Sequence, residues 1–486
     1  MSESGGVWAP QRRALTASLV ASVTLVGSEA LAIATVMPAI ADDLGVAGYG
    51  LAFSVFFVGS IVGVLLAGPA ADLVGPRRPY LFGMALFAAG LAVGAAAPTM
   101  VVLLAGRLLQ GLGAGMIPAV GYVCIGRAYP EAAQPRMLAV LSTAWVVPGA
   151  IGPGLAGFVA DEAGWRWVLG GLLPLVAATA AVAFGPLGRL AGAGAHVDVG
   201  DERAEHGADP PLVDSVFDTI RFAAGVGLVV VALDRLVPFD AAAAAIAVAM
   251  VCGGVLIATG PARRLLPAGW WRASRGVPAA LAVRALLAYA FVASDVFVPL
   301  ILTDVRGKSL AFASVAVSVS ALVWSAGSWV AERLVARTAP SRLAGAGGAL
   351  VSVGVLGQLL LLVASVPSAV GLLGVAVAAF GMGLSLTPLS MVVLDQQQEV
   401  ATGRASSWMA LFEQLGFATG PLLAGLLVAA QPVEPGLSRG LAISFVTAAA
   451  VAALAAALRR RLVPSTNVGV YSEGPPRVGR PHGRGR

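Results

Sequence analysis

Charged residues are scarce in this sequence of 486 residues, where Asp, Glu, Lys and Arg together account for 12%. A soluble globular domain carries about 25% charged residues, so this scarcity argues against a soluble protein. Hydrophobic residues account for 58% of the chain, and the mean hydropathy is +0.87. They fall into runs of about 20, the length that a helix needs to cross a bilayer. Because the runs do not alternate apolar and polar residues, they exclude the strands of an outer-membrane barrel.

Residues that build disulfides and metal sites are also few. The two cysteines, Cys124 and Cys252, lie in apolar surroundings and indicate no disulfide framework. The three histidines all lie outside the apolar runs and no cluster of metal ligands is apparent, so we predict neither a metal nor a bound cofactor. The apolar runs also contain no nucleophile–base arrangement, which argues against a membrane enzyme.

Basic residues exceed acidic ones, giving a net charge of +6. This excess does not indicate nucleic-acid binding, because the arginines cluster at the ends of apolar runs, as the positive-inside bias requires. With the N-terminus inside, the outer connections contain only Arg166, Arg235, Arg306, Lys308 and Arg439. The inner connections contain Arg12, Arg13, Arg77, Arg78, Arg127, Arg136, Arg189, Arg203, Arg263, Arg264, Arg272, Arg275, Arg333, Arg337, Arg342, Arg404, Arg459, Arg460 and Arg461. This asymmetry predicts a multi-pass protein of a bacterial-type plasma (inner) membrane, with both termini in the cytoplasm.

The apolar runs number fourteen. The first is about 24 residues long, too long for the apolar core of a cleaved export signal, so we interpret it as an uncleaved helix. The predicted spans are residues 14–37, 51–70, 80–97, 101–122, 137–160, 167–184, 222–236, 241–259, 278–302, 311–331, 343–366, 370–394, 405–430 and 441–458.

A polar segment, residues 194–217, divides the chain after the sixth run. We therefore predict an all-α polytopic membrane protein with four parts. They are a six-helix bundle over residues 1–190, a cytoplasmic loop with two extra membrane helices over 191–265, a second six-helix bundle over 266–462, and a disordered cytoplasmic tail over 463–486. Membrane lipids are the expected surroundings, and we expect a monomer.

Two short patterns recur along the chain. Gly152-Pro-Gly-Leu-Ala-Gly157 recurs as Gly420-Pro-Leu-Leu-Ala-Gly425, an offset of 268 residues (420 − 152). Ala71-Asp72 recurs as Ala331-Glu332, an offset of 260 residues (332 − 72). The similar offsets predict two related halves separated by an inserted helix pair.

The connection between the second and third runs reads Gly68-Pro-Ala-Ala-Asp72-Leu-Val-Gly75-Pro-Arg77-Arg78. It resembles the loop between the second and third helices of the major facilitator superfamily, which Gly68, Asp72, Gly75, Arg77 and Arg78 all fit. Leucine and proline stand at two positions that are often basic in that family. The resemblance implies a major facilitator fold of two pseudo-symmetric six-helix bundles. It also implies a cytoplasmic gate, in which the carboxylate and the arginines hold the two halves together.

Two charged residues lie inside predicted spans, where each costs about 2.5–3.5 kcal/mol and is a functional candidate. Glu29, in the first span, resembles the acidic residue of the first-helix motif of drug:proton antiporters, with Glu for the usual Asp. Arg107, in Gly106-Arg107-Leu-Leu-Gln110-Gly111, resembles the arginine of the fourth-helix motif, which that family links to proton coupling. We expect Glu29 and Arg107 to lie at similar depth and to pair, directly or through water. The alternative is that both serve packing only.

Two further acids lie in spans of the second half. Asp295 follows Glu29 by 266 residues (295 − 29), so we expect the two carboxylates to face each other across a central cavity. Glu413 is a candidate for binding a cationic substrate or a proton, or for bonding a neighbouring backbone. The cavity candidates are completed by Gln110, Trp145, Trp324 and Trp408, whose aromatic rings suit a lipophilic substrate but are equally explained by core packing.

The fifth span contains Pro148-Gly-Ala-Ile-Gly152-Pro153-Gly-Leu-Ala-Gly157. It resembles the motif that marks proton antiporters among the exporters of the superfamily, and the whole chain resembles the fourteen-span drug:proton antiporter family. The resemblance implies alternating access driven by the proton gradient, in which protonation of Glu29 or Asp295 releases a lipophilic compound outward. The alternatives are a dedicated exporter of one endogenous lipid or secondary metabolite and, more remotely, a transport-inactive membrane sensor.

Overall fold

The computed structural model describes residues 6–46, 48–130, 133–144, 146–193, 212–234, 241–335, 337–395, 402–431 and 436–463. In these ranges the regular secondary structure is helical and includes no β-strand. The first half contains α1 (Arg13–Leu44), α2 (Tyr49–Val74), α3 (Arg77–Ala95), α4 (Met100–Ala128), α5 (Gln134–Thr143), α6 (Val146–Ala163), α7 (Trp165–Gly170) and α8 (Leu173–Ala193).

Two inserted helices, α9 (Leu212–Asp234) and α10 (Ala241–Leu265), precede the second half. That half contains α11 (Val277–Asp295), α12 (Val298–Leu300), a π-helical segment (Ile301–Val305), α13 (Leu310–Val335), α14 (Pro340–Gln358), α15 (Ser368–Asp395), α16 (Thr402–Ala429) and α17 (Gly436–Ala457). The starts of α2, α3 and α4 precede those of α13, α14 and α15 by 261 (310 − 49), 263 (340 − 77) and 268 (368 − 100) residues. The order of elements therefore repeats at nearly the offset of the sequence patterns.

Among the described residues, 13 helical segments are long and apolar enough to cross a membrane. The predicted all-α membrane fold is thus confirmed. The fifth predicted span, residues 137–160, is the exception, because α5 ends at Thr143 and α6 begins at Val146. Pro148 accounts for the interruption: it has no N–H to donate to the carbonyl of Ala144, and its ring crowds the preceding turn.

One predicted boundary was wrong. The polar segment 194–217 was expected to be loop throughout, but α9 begins at Leu212. Asp218, one residue after this segment, pairs with Arg264 of α10, whose Nη1 lies 3.1 Å from the Asp218 carboxylate, so the early part of α9 is joined to α10. Residues 194–211 and the tail from 464 to 486 lie outside the described residues.

Within the first half, α2 and α4 pack backbone against backbone. A Cβ added at Gly111 would overlap the carbonyl of Phe56, and one added at Gly115 would overlap that of Ser60. Glycines at this spacing allow two helices to approach closely, which is how apolar helices associate inside a bilayer.

The two halves meet through α2 with α16 and through α6 with α13. Gly50, in the first turn of α2, lies against Pro421 near the end of α16, and Gly157 lies against Ser314 in the first turn of α13. We call this end of the molecule, where α1 ends and α2 begins, the closed face. The other end, where α1 begins at Arg13 and α2 is followed by α3 at Arg77, is called the basic face.

The inserted pair packs on the outside of this seam. α9 contacts both α2 and α16, with Val226 and Val230 set among Leu51, Val58 and Leu422. α9 and α10 cross closely at Gly225 and Gly254. A Cβ added at either glycine would overlap the backbone carbonyl of the other. The pair therefore covers one side of the junction between the halves.

Candidate functional site

Glu29 and Arg107 form a direct ion pair in the core of the first half. The side chain of Glu29 is fully buried, and that of Arg107 is 2% exposed. An Arg107 Nη1 donates to Glu29 Oε1 and also to Gln110 Oε1, the latter at 2.9 Å. The expected pairing is therefore present, in its direct form.

Arg107 connects three helices. Its Nε donates to the carbonyl of Ala52 in α2 at 3.2 Å, and its guanidinium lies 4.3 Å from the ring centroid of Phe56. Glu29 Oε2 has no hydrogen-bond partner among the described residues, and neither has Gln110 Nε2. One carboxylate oxygen is thus buried without a donor, which is costly while the group is charged.

Asp295 ends α11, at a break in the helix. Pro299, four residues later, cannot donate to the Asp295 carbonyl, so α11 stops and the short α12 follows. Ser320 of α13 donates to Asp295 Oδ1 at 2.8 Å. Asp295 is partly exposed, whereas Glu29 is enclosed in the other half. The two carboxylates therefore do not face each other across an open cavity in this conformation.

The first turn of α2 lies between these two acids. The Tyr49 hydroxyl donates to the carbonyl of Val296 at 3.0 Å, and the Tyr49 ring stacks on Phe297 with centroids 5.1 Å apart. Ala52, which binds Arg107, is three residues further along the same helix. One helical turn therefore contacts the Glu29–Arg107 pair on one side and the residue after Asp295 on the other.

A second ion pair lies in the other half, and the sequence analysis missed one of its members. Arg284 of α11 donates through Nε to Glu413 Oε2 of α16 at 2.9 Å, and a second N–H of Arg284 reaches the same oxygen. Arg284 Nη1 donates to the Ser390 hydroxyl of α15 at 3.1 Å. The signal for Arg284 was available, because it is an arginine inside an apolar run, the same criterion that selected Arg107.

The predicted gate residues lie at the basic face. The Arg77 guanidinium lies 3.7 Å from the ring centroid of Phe184, which belongs to the same half, and Arg78 is exposed. A Cβ added at Gly68 would meet nothing within 4 Å. The side chain of Asp72 lies outside the described part of the chain. Arg77 therefore does not join the two halves here, and the role of the loop as a gate stays a prediction.

The fifth-helix motif lies on α6, the helix that packs on α13 of the other half. Pro148, Pro153 and Gly157 are buried there, and Gly152 is partly exposed. Trp324 meets Phe291 edge to face with centroids 5.0 Å apart, and the Trp408 indole donates to the Leu265 carbonyl at 2.7 Å. Trp145 lies outside the described residues. The assignment of these tryptophans to a substrate cavity stays a prediction.

Two repeated bundles of membrane-length helices, each with an arginine–carboxylate pair inside it, define the class of polytopic membrane transporters. The chain belongs to the Major Facilitator Superfamily, whose sequence profile matches residues 17–421. It is therefore a member of a transporter family and not an enzyme.

Curated relatives match parts of the chain. A "Probable multidrug-efflux transporter" of Mycobacterium tuberculosis is 34% identical over 184 residues, which is 36% of this chain and 39% of that protein. The multidrug transporter protein MdtP of Bacillus subtilis is 28% identical over 163 residues, 32% of this chain and 29% of that protein. A transporter of the acurin A biosynthesis cluster of Aspergillus aculeatus is 29% identical over 144 residues, 29% of this chain and 26% of that protein. The match spans less than two-fifths of the length of each of these relatives.

Solved structures match the fold over most of the chain. A bacterial homologue of the human lysosomal transporter Spinster, in an inward-facing conformation, has a TM-score of 0.61 at 14% identity, covering 93% of this chain and 98% of its own. The xylose transporter XylE of Escherichia coli, partially occluded and inward open, has a TM-score of 0.59 at 14% identity with the same coverage. At this identity the likeness concerns the fold alone.

Proposed function

We propose that this protein exports lipophilic compounds across the bacterial plasma membrane in exchange for protons, by alternating access. The observation that carries the proposal is the buried pair of Glu29 and Arg107. A carboxylate enclosed in this way is costly to keep, and a proton is the one ion small enough to neutralise it without rearranging the core. The names of the curated relatives, which include multidrug efflux, support the export of drug-like compounds.

The pair is connected to the contact between the halves. Protonation of Glu29 removes the charge that holds Arg107 toward α1. Arg107 also binds Ala52, which lies two residues from Gly50, where α2 meets α16. A change at Glu29 thereby reaches the helix turn that closes this end of the molecule.

Asp295 supplies a second proton site in this proposal. It is partly exposed, and its one described side-chain partner is the neutral hydroxyl of Ser320. Its neighbour Val296 accepts the Tyr49 hydrogen bond that links the halves. Protons bound at Asp295 and at Glu29 therefore act on the same turn of α2 from opposite sides.

The arginine asymmetry supports an orientation in which the basic face lies in the cytoplasm and the closed face outside. On this proposed orientation the conformation is inward-facing and takes substrate from the cytoplasm. Opening of the closed face would then release substrate outward, as alternating access requires.

Transport of a dye panel in inverted vesicles with an imposed pH gradient tests the proposal. We expect Glu29→Gln and Asp295→Asn to reduce gradient-driven transport to the level of vesicles without the protein, while Glu162→Gln, at an exposed position of α6, serves as the matched control. Full activity of both amide variants would refute proton coupling through these acids.

The same panel separates the second candidate, a dedicated exporter of one endogenous compound. The relative named for the acurin A biosynthesis cluster favours this alternative. Transport of many unrelated dyes supports the first function, and transport of none, with activity on one metabolite, supports the second.

A further inference from the structure

The structure also points to a substrate class. We infer that Arg284, Glu413 and Ser390 form a substrate site that selects lipophilic compounds without net charge, whether zwitterionic or uncharged, over singly charged ones. This inference rests on the proposed export function and adds to it the charge type of the cargo.

The first observation is the geometry of the cluster. Arg284 is bound to Glu413 through two N–H groups and to Ser390 through a third. The exposed fractions of the Arg284 and Glu413 side chains are 13% and 18%. The corresponding values for Arg107 and Glu29 are 2% and 0%, so a solute can reach the second pair and cannot reach the first.

The second observation is the position of Tyr122, in the other half, relative to the Arg284–Glu413 pair. Tyr122 of α4, in the other half, is 56% exposed, yet its phenol is within electrostatic range of Glu413 and Arg284. Among the described residues, α4 and α11 share no extensive packing, although α2 with α16 and α6 with α13 close the flanks. The inferred site therefore lies in the space between Tyr122 and the ion pair, between the two halves.

The third observation is the apolar surface beside the pair. Phe291, two turns further along α11 from Arg284, is buried, and its ring meets edge to face the ring of Trp324, which is partly exposed and supplies the apolar surface. A ligand that touches both regions needs an aromatic or aliphatic body and a polar end. The inferred site thus suits a lipophilic compound whose polar group faces Arg284 and Glu413.

Charge balance then selects among such compounds. A ligand with one charge can pair with only one member of the couple, and the displaced partner is left unpaired in a region of low dielectric. A zwitterion supplies a carboxylate to Arg284 and an ammonium to Glu413, so that both protein charges stay paired. An uncharged ligand leaves the protein pair intact, and therefore also avoids the penalty.

Four probes with one fluorescent body test this inference by direct binding to the purified protein in detergent, without a pH gradient. They are ε-dansyl-lysine (a zwitterion), its methyl ester (a cation), its Nα-acetyl derivative (an anion) and the Nα-acetyl methyl ester (uncharged). We expect the zwitterion and the uncharged probe to bind about tenfold more tightly than either singly charged probe, a difference of about 1.4 kcal/mol.

Substitutions in the pair are expected to shift the charge preference of the site in opposite directions. Glu413→Gln is expected to shift preference toward the anion, and Arg284→Gln toward the cation. The exchange Arg284→Glu/Glu413→Arg keeps the pair and is expected to retain the preference for probes without net charge. Arg264→Gln, at an arginine on the inserted helices whose side chain is 69% exposed, is the matched control and is expected to leave the order of affinities unchanged.

Equal affinity for all four probes, or shifts of the same sign in Glu413→Gln and Arg284→Gln, would overturn the inference. Since binding is measured without a gradient, this outcome is distinct from failure of the proposed function, which appears as absence of proton-driven transport in vesicles.

Discussion

At the residue scale, two of the described arginine–carboxylate pairs, one in each half, differ in how far they are exposed. Glu29 and Arg107 are enclosed, whereas Arg284 and Glu413 are partly exposed. Their proposed roles differ because their exposure differs. The enclosed pair can take up and release only a proton, whereas the partly exposed pair can also form ion pairs with a bound solute. The same chemical groups therefore serve coupling in one half and recognition in the other.

Removal of one member of the enclosed pair is expected to destabilise the protein strongly. Arg107→Gln leaves the Glu29 carboxylate buried without its cation, and breaking a buried pair in this way costs about 3–5 kcal/mol. We expect a lowered midpoint of thermal unfolding in detergent, with part of the loss recovered in Glu29→Gln/Arg107→Gln.

The control for this prediction is Arg166→Gln. Arg166 pairs with Asp43 at 2.7 Å, but both side chains are more than two-fifths exposed, at 43% and 46%. Loss of an exposed pair costs about 1 kcal/mol or less. If Glu29→Gln/Arg107→Gln loses as much stability as Glu29→Gln and Arg107→Gln lose in sum, the two side chains are not coupled.

At the scale of elements, the helices owe their positions to small residues and to prolines. Gly111 and Gly115 let α4 approach α2 within the distance at which backbones touch. Pro148 follows the break between α5 and α6, and Pro299 follows the break between α11 and α12. The breaks free backbone carbonyls and allow a short segment to tilt, which a continuous helix could not do.

The close contact of α2 and α4 gives a matched pair of substitutions on one helix. A Cβ at Gly111 overlaps the Phe56 carbonyl, whereas one at Gly126 meets nothing within 4 Å. We expect Gly111→Ala to destabilise the protein by about 1–3 kcal/mol through overpacking. Gly126→Ala is expected to be neutral or to stabilise by about 0.5–1 kcal/mol, since alanine favours helix. Thermal unfolding in detergent compares the two, and equal midpoints would contradict the packing described here.

At the scale of the whole molecule, the two halves are joined at the closed face. The contacts of Tyr49 with Val296 and of Gly50 with Pro421 lie at the closed face. At the basic face, Arg77 packs on Phe184 within its own half. Transport by alternating access requires the closed contacts to separate in each cycle.

A disulfide across the closed face tests this requirement. A Cβ built on Gly157 lies 3.5 Å from the Cβ of Ser314, within the range of about 3.5–4.5 Å that a disulfide needs. In a background with Cys124→Ala and Cys252→Ser, we expect Gly157→Cys/Ser314→Cys to transport when reduced and to stop when oxidised. Reduction should restore transport. Undiminished transport by the fully oxidised protein would mean that this face need not open.

Much of the architecture was determined by the sequence alone. The length and hydropathy of each apolar run are set by residues that are adjacent in the chain. The number and order of the helices could therefore be predicted from local composition. The pairing of Glu29 with Arg107 was also predictable, because two opposite charges in apolar spans lower the cost of their burial by forming an ion pair. The arginine distribution likewise predicts the orientation, which stays a prediction here.

Only the tertiary structure decided which charges are reachable and what they touch. Arg284 and Glu413 are 129 residues apart, and their contact depends on how α11 packs on α16. The enclosure of Glu29, the contacts of α2 with Arg107 and with the residue after Asp295, and the position of α9 over the seam likewise follow from helices packed together across long chain separations. Burial and cavity shape are properties of the assembled bundle, since they depend on every helix that surrounds a side chain and not on its own stretch of sequence.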